Sequence, residues 1–265
     1  MRIVLFAFFI LQVVFSQETK YIATNYEFKN GEIAYMFGND VKLRDQPTTN
    51  SNVLSLLKIG EQVEILEKSN TTMEFDGMDA PWYKVKANNK VGYVLGSFIS
   101  LDKKTVNNLT YLIALKKDDS RVFLKTRIIK NGSDYVENES QLMTEEFSIK
   151  ASGNKGLDNV KSILEIKYLA EACGINGGGI YLFYDGIKLV KAMDYSRIAD
   201  ADLYWFDEEY IFPEEKNGIK GKIVYKRESG ETKEYETEWT ETKMIRRVLE
   251  WNGKEIFPNI RDTDE

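Results

Sequence analysis

From Ile33 onward the chain changes character every few residues, and this rhythm restricts the fold more than any other feature. Short apolar runs alternate with turn-forming clusters too closely for helices of ordinary length. Ile33, Tyr35 and Phe37 alternate with polar or small neighbours, and Val41 and Leu43 share one face. Arg44-Asp45-Gln46-Pro47 and the Thr/Asn/Ser cluster behind it read as a turn. Val53 to Leu57 is a short strand, turned by Lys58-Ile59-Gly60-Glu61. Val63, Ile65 and Leu66 make the next strand, and Trp82 to Lys86 another. Asn88-Asn89-Lys90 is a tight turn, answered by Val91-Gly92-Tyr93-Val94. Period-two strands at this spacing predict a small sandwich or barrel over residues 31–101.

The order of these pieces carries a resemblance. Val41-Lys42-Leu43-Arg44-Asp45-Gln46-Pro47, Val53 to Gly60, Val63-Glu64-Ile65-Leu66, Trp82-Tyr83-Lys84-Val85 and Gly92-Tyr93-Val94 with Phe98-Ile99 together resemble the bacterial SH3 (SH3b) domain family. Two departures stand out: Gln46 where the family usually has glycine, and an insertion, Thr71 to Ala80, that enlarges one loop. The resemblance implies an SH3-like barrel that binds cell-wall peptide or another surface ligand in an aromatic groove. The groove residues it implies are Tyr35, Arg44, Trp82, Tyr83 and Tyr93, with Phe98 beside them. Arg44 would meet the carboxylate of a peptide end. In so small a barrel Trp82 and Phe98 are expected in the core. Tyr83, one residue on, is then expected to face outward beside the insertion.

Residues 102–109 are polar and read as a linker, and 17–30 as a polar lead-in. The β pattern resumes over 110–260. Tyr111 to Leu115 and Val122 to Ile129 flank a hairpin turn at Lys117-Asp118-Asp119-Ser120, and Ser162 to Tyr168 and Gly179 to Tyr184 are strands. Asp185-Gly186 and Asn252-Gly253 each follow an aromatic residue and suggest type I′ turns with positive φ at both positions. Near the end Tyr235, Thr237 and Trp239 share one face, and Ile245, Arg247, Leu249 and Trp251 form a facing stripe. Glu238 and Arg246 are a candidate cross-strand pair. Tyr195 to Asp200 reads as one short helix. The predicted fold class is all-β: an N-terminal SH3-like barrel, then a larger antiparallel β domain, with 261–265 as a tail.

Absences narrow the chemistry. The chain has no histidine and a single cysteine, Cys173. Ser-His-Asp and Cys-His catalysis are therefore excluded, and so are histidine-liganded zinc sites. Cys173 lacks a base and reads as a small buried residue. Gly177-Gly178-Gly179 lacks the helix and Lys-Ser/Thr of a phosphate loop and reads as a bulge or turn. Asp200, Asp202, Asp207, Glu208 and Glu209 offer calcium oxygens, but without EF-hand spacing they read as solvated strand positions. No cofactor or metal is expected. The net charge of −6, with no polybasic stretch, argues against nucleic acid and anionic membranes.

The first sixteen residues, MRIVLFAFFILQVVFS, join Arg2 to an apolar run too short to span a bilayer with ease. They read as a secretory signal peptide cut before Gln17, leaving no membrane anchor. The expected protein is secreted or periplasmic and non-enzymatic, with a cell-wall peptide or an envelope protein as partner. Its overall look is that of exported SH3b proteins of Bacteroidetes-type bacteria, with an uncharacterised C-terminal β domain. The rival expectation is a carboxylate-based envelope hydrolase that the SH3-like domain targets.

Overall fold

The computed structural model describes residues 20–169, 177–200, 203–234 and 239–260. The signal-peptide reading, Cys173 and the Tyr235–Thr237 pair fall outside them. No helix among the described residues is long and apolar enough to cross a membrane.

A short strand, β1 (Tyr21–Ala23), precedes the barrel. The barrel comprises β2 (Ile33–Met36), β3 (Val41–Arg44), β4 (Val53–Leu57), β5 (Gln62–Phe75), β6 (Met78–Ala87), β7 (Lys90–Leu95) and β8 (Ile99–Ser100). They form one curled sheet in the order β4-β3-β7-β6-β5-β2-β8, with a 3-10 turn at Gly96–Phe98. The chain continues into β9 (Lys103–Val106), β10 (Leu109–Asp118), β11 (Arg121–Ile129) and β12 (Tyr135–Gln141), a four-stranded sheet. Then come β13 (Glu146–Ser152), β14 (Ser162–Tyr168), β15 (Gly177–Tyr184), β16 (Leu189–Asp200), β17 (Tyr204–Ile211), β18 (Ile223–Glu234), β19 (Trp239–Trp251) and β20 (Ile256–Phe257). They run as an antiparallel meander, and β1 pairs with its first strand through Tyr21↔Ser148 and Ala23↔Glu146.

The all-β expectation therefore holds, but several segments behave differently from their sequence reading. In β2 the barrel core takes Ala34 and Met36, while Tyr35 and Phe37 turn to the four-stranded sheet. The insertion is no loop. It extends β5 and β6 into a hairpin whose turn, Asp76-Gly77, has positive φ at both residues, the type I′ geometry. The polar stretch 102–109 is also structured, because Asn107-Asn108, both at positive φ, close a hairpin between β9 and β10. Tyr195 to Asp200 is not helical; it completes β16, held between Gly177–Gly179 on one side and Tyr204–Asp207 on the other. Asp185 and Asn252 do not adopt positive φ, whereas Gly186 and Gly253 do. Each Asx side chain instead accepts two backbone N–H donors, Ile187 and Lys188 in one loop and Lys254 and Glu255 in the other.

The glycine triplet opens β15 rather than a turn. All eight residues of β15 are buried, so both faces and both edges are covered. A Cβ at Gly178 would sit 2.1 Å from the Tyr195 carbonyl oxygen, and one at Gly179 2.2 Å from that of Ile166. Glycine is what lets β14 and β16 close on this strand. Arg246 lies opposite Lys226, and its candidate partner Glu238 falls outside the described residues. The Ile245 to Trp251 stripe does face inward: Leu249 is buried, and Ile245 and Trp251 pack beside it.

The main core lies between the four-stranded sheet (Tyr111, Ile113, Leu124, Ile128) and the meander (Phe147, Ile149, Leu164, Ile166, Leu182). The meander curls around a second core built on Tyr181, Phe183, Phe212 and Tyr225. A third fills the barrel, and a fourth (Phe37, Ile59, Leu112, Ala114) joins the barrel to the four-stranded sheet.

Candidate functional site

The five groove residues do not converge. Arg44 and Tyr93 are register partners on the outer wall of the barrel. The Arg44 guanidinium donates to the Ser51 carbonyl at 2.7 Å and so closes its own loop. Tyr35 lies elsewhere, with the Lys103 ammonium 3.7 Å above its ring. Trp82 is 4% exposed, in a cluster with Ala80 and Leu95 that Met73, Phe75, Tyr93 and Phe98 cover. Its burial matches the expectation, and the reason is the hairpin extension, which folds Met73 and Phe75 over the barrel wall.

Tyr83 reverses its expected place. Strand parity does put it opposite Trp82, but that side is the barrel core, and Tyr83 is 2% exposed. Its ring meets Phe28 edge-on at 5.4 Å, and its hydroxyl accepts the buried Phe28 backbone N–H at 3.3 Å. Burial pushes its phenol above the ordinary value, against which the Phe28 hydrogen bond works.

Phe28 and its neighbour Tyr26 come from the segment read as a polar lead-in. Tyr26 stacks edge-on against Phe28 at 5.4 Å, which makes a ladder of three rings, Tyr26, Phe28 and Tyr83. The Tyr26 hydroxyl donates to Glu32 at 2.7 Å, and Lys29 N–H donates to the other Glu32 oxygen. Burial first, then this carboxylate, raise the Tyr26 phenol far above its usual range.

The ladder borders a cleft of about 300 Å³ between the lead-in, the base of the β5–β6 hairpin, the 3-10 turn and β10. Met78, Pro81, Ile99 and Leu115 contribute apolar lining; Asn25, Glu27, Asp79 and Ser97 are the polar groups at its rim. Glu27 is ion-paired with Lys68, while exposed Asp79 makes no ion pair among the described residues. A concave, mostly apolar space with a few polar groups is the usual form of a small-ligand or peptide site. This one suits small aliphatic side chains against Met78, Pro81 and the half-buried Tyr26 ring, and an ammonium group near Asp79. Sequence reasoning missed Tyr26 and Phe28, although their i, i+2 spacing was the available signal for a strand-like aromatic pair.

Two members of the acidic run near residue 200 are already engaged. Asp207 pairs with Arg197 at 2.8 Å. Glu208 accepts the Ser196 N–H and the Tyr225 hydroxyl, each at 2.7 Å. Asp202 lies outside the described residues.

Residues 39–100 match the protein-family model described as bacterial SH3 domain. No curated protein and no solved structure matches the chain.

Proposed function

We propose that the chain is an exported, non-enzymatic binding protein whose SH3-like module docks a cell-envelope peptide, in the first place a stem peptide of peptidoglycan. The observation that carries this reading is the aromatic cleft itself, which belongs in large part to the bacterial SH3 module. Wall peptides combine methyl side chains with free amines; to meet them the cleft offers its apolar lining, the half-buried Tyr26 ring and Asp79, which makes no ion pair among the described residues. Binding rather than catalysis is favoured by the lack of any histidine and by the commitment of the nearby carboxylates Glu27 and Glu32 to protein partners.

The test is co-sedimentation of the whole chain with purified, protein-free peptidoglycan, beside Asp79→Lys at the cleft and Arg44→Ala on the outer wall. The wild type and Arg44→Ala should pellet, and Asp79→Lys should stay largely in the supernatant. A wild type that stays in solution refutes wall binding. Soluble muropeptides released during the incubation would replace this reading with the hydrolase.

A further inference from the structure

A second concave surface lies on the other side of the lead-in. β1 covers β13 only from Glu146 to Ser148. Beyond that point the β13 edge faces the outer edge of β9 across a cleft of about 650 Å³. Five lysines from four separate stretches line it: Lys20, Lys103, Lys104, Lys150 and Lys167. The one carboxylate among the lining residues is Glu165. In a chain whose net charge is −6, this is a local reversal of sign.

Cross-strand pairing should neutralise part of this charge, since Lys150 stands opposite Glu165 in the β13–β14 register. It does not. One Glu165 oxygen accepts the Tyr181 hydroxyl at 3.1 Å and the Tyr195 hydroxyl at 2.8 Å. Those phenols are raised far above their usual range, by burial first and then by Glu165. Lys150 and Lys167, both exposed, make no ion pair among the described residues. Lys104 has Asp102 at 2.8 Å, Lys20 donates to the Leu101 carbonyl at 3.3 Å with Glu32 at 3.9 Å, and the Lys103 ammonium lies over the Tyr35 ring.

Lysines on open strand edges also serve to prevent edge-to-edge association. That role needs charge scattered along an edge. It does not need five lysines gathered along one hollow, with Lys150 and Lys167 free of ion pairs among the described residues and the one carboxylate of the described lining held by two tyrosines. We propose that this cleft binds a ligand carrying several phosphate groups, such as a phosphodiester or polyphosphate chain. Ammonium groups act as compact point charges on phosphate, whereas planar carboxylates are met best by arginine, and no arginine among the described residues lines the cleft. The hydroxyls of Thr105 and Ser148 supply neutral donors beside them. This site is independent of the peptide cleft and stands or falls without it.

The experiment is calorimetric titration of the whole chain with sodium tripolyphosphate at low salt, with citrate as the carboxylate comparator. The variants are the double substitution Lys150→Gln/Lys167→Gln and, on a distant loop, Lys254→Gln. Tripolyphosphate should bind the wild type and Lys254→Gln alike, and added sodium chloride should weaken it. The double variant should bind about tenfold more weakly or worse, with an unchanged melting temperature because both side chains are exposed. Absence of binding to the wild type, or equal binding by the double variant, overturns the site. Citrate binding as tightly as tripolyphosphate overturns the assignment to phosphate.

Discussion

Tyr83 distinguishes a core residue from a ligand contact, and two substitutions separate the roles. Tyr83→Phe keeps the ring and removes the acceptor for the Phe28 N–H, which has no other partner among the described hydrogen bonds. A buried donor left unsatisfied costs about 1–3 kcal/mol, and the 3.3 Å length of this bond argues for the lower end, about 1 kcal/mol. Tyr83→Ala also removes a ring packed against Phe28 and inside the core of Met36, Leu43, Ile65 and Val85. Truncating a buried aromatic costs about 3–5 kcal/mol. For a chain of this size each kcal/mol lowers the melting temperature by about 2–4 °C. The expected drops are thus about 3 °C for Tyr83→Phe and roughly 10 °C for Tyr83→Ala. Thermal unfolding followed by tryptophan fluorescence reads both, since Trp82 is the next residue. A Tyr83→Ala variant within about 1 kcal/mol of the wild type would refute the core assignment.

Two further outcomes are expected. Gly77 has φ +71°, and a Cβ there would lie 2.1 Å from the Lys117 carbonyl oxygen, so Gly77→Ala should cost about 2 kcal/mol through strain and displacement of β10. The Lys117 amide, which donates to the Asp76 carbonyl at 2.8 Å, should lose protection in hydrogen exchange, and unchanged protection counts against this contact. Burial pushes the Tyr111 phenol up to about 12, against the hydrogen bond with Ser162, and burial also pushes Tyr168 to about 12. Because these folded values are raised, their stabilising contribution is complete below the ordinary phenol value of 10 and is lost as pH rises toward 12. Ultraviolet titration should show a late tyrosinate step that shrinks in Tyr111→Phe, and no change in that step would count against the burial of this phenol.

The local pattern was legible wherever one face of a strand meets a core and the other meets water. Val41 and Leu43, the strand Ser162–Tyr168 and the inward Leu249 follow from period two, and the turn read over Lys117 to Ser120 narrows to Asp119-Ser120 because Lys117 and Asp118 still pair in β10. It failed where both faces are covered, because alternation then carries no sign. Trp82 and Tyr83 are adjacent and both buried, one beneath the hairpin extension and one in the barrel. Parity put them on opposite sides but could not say that the outer side was covered. Asp76-Gly77 held that information, since it is the same Asx-Gly signal read at residues 185 and 252. Tyr195–Asp200 failed for a related reason: a strand inside a meander is fixed by its two neighbours rather than by its own propensity.

The five groove residues do not converge because the barrel is not a closed module. Tyr26 and Leu101 each touch both the barrel core and the main core, and Phe28 fills the barrel from outside its sequence limits. The Arg127 guanidinium donates to the Phe37 carbonyl at 2.7 Å and lies 4.2 Å from the Phe37 ring, which fastens the four-stranded sheet to the barrel wall. A site built only from barrel residues would leave out the surfaces where the barrel meets its neighbours. Both clefts argued above lie at such seams. One lies where the lead-in crosses from β1 to the barrel, and the other where β9 leaves the barrel and meets the edge of β13. Loops and strand ends at a seam can vary without emptying a core, whereas Trp82, Tyr83 and Leu43 cannot. A chain that keeps a small barrel for stability can therefore place its recognition chemistry along the joints.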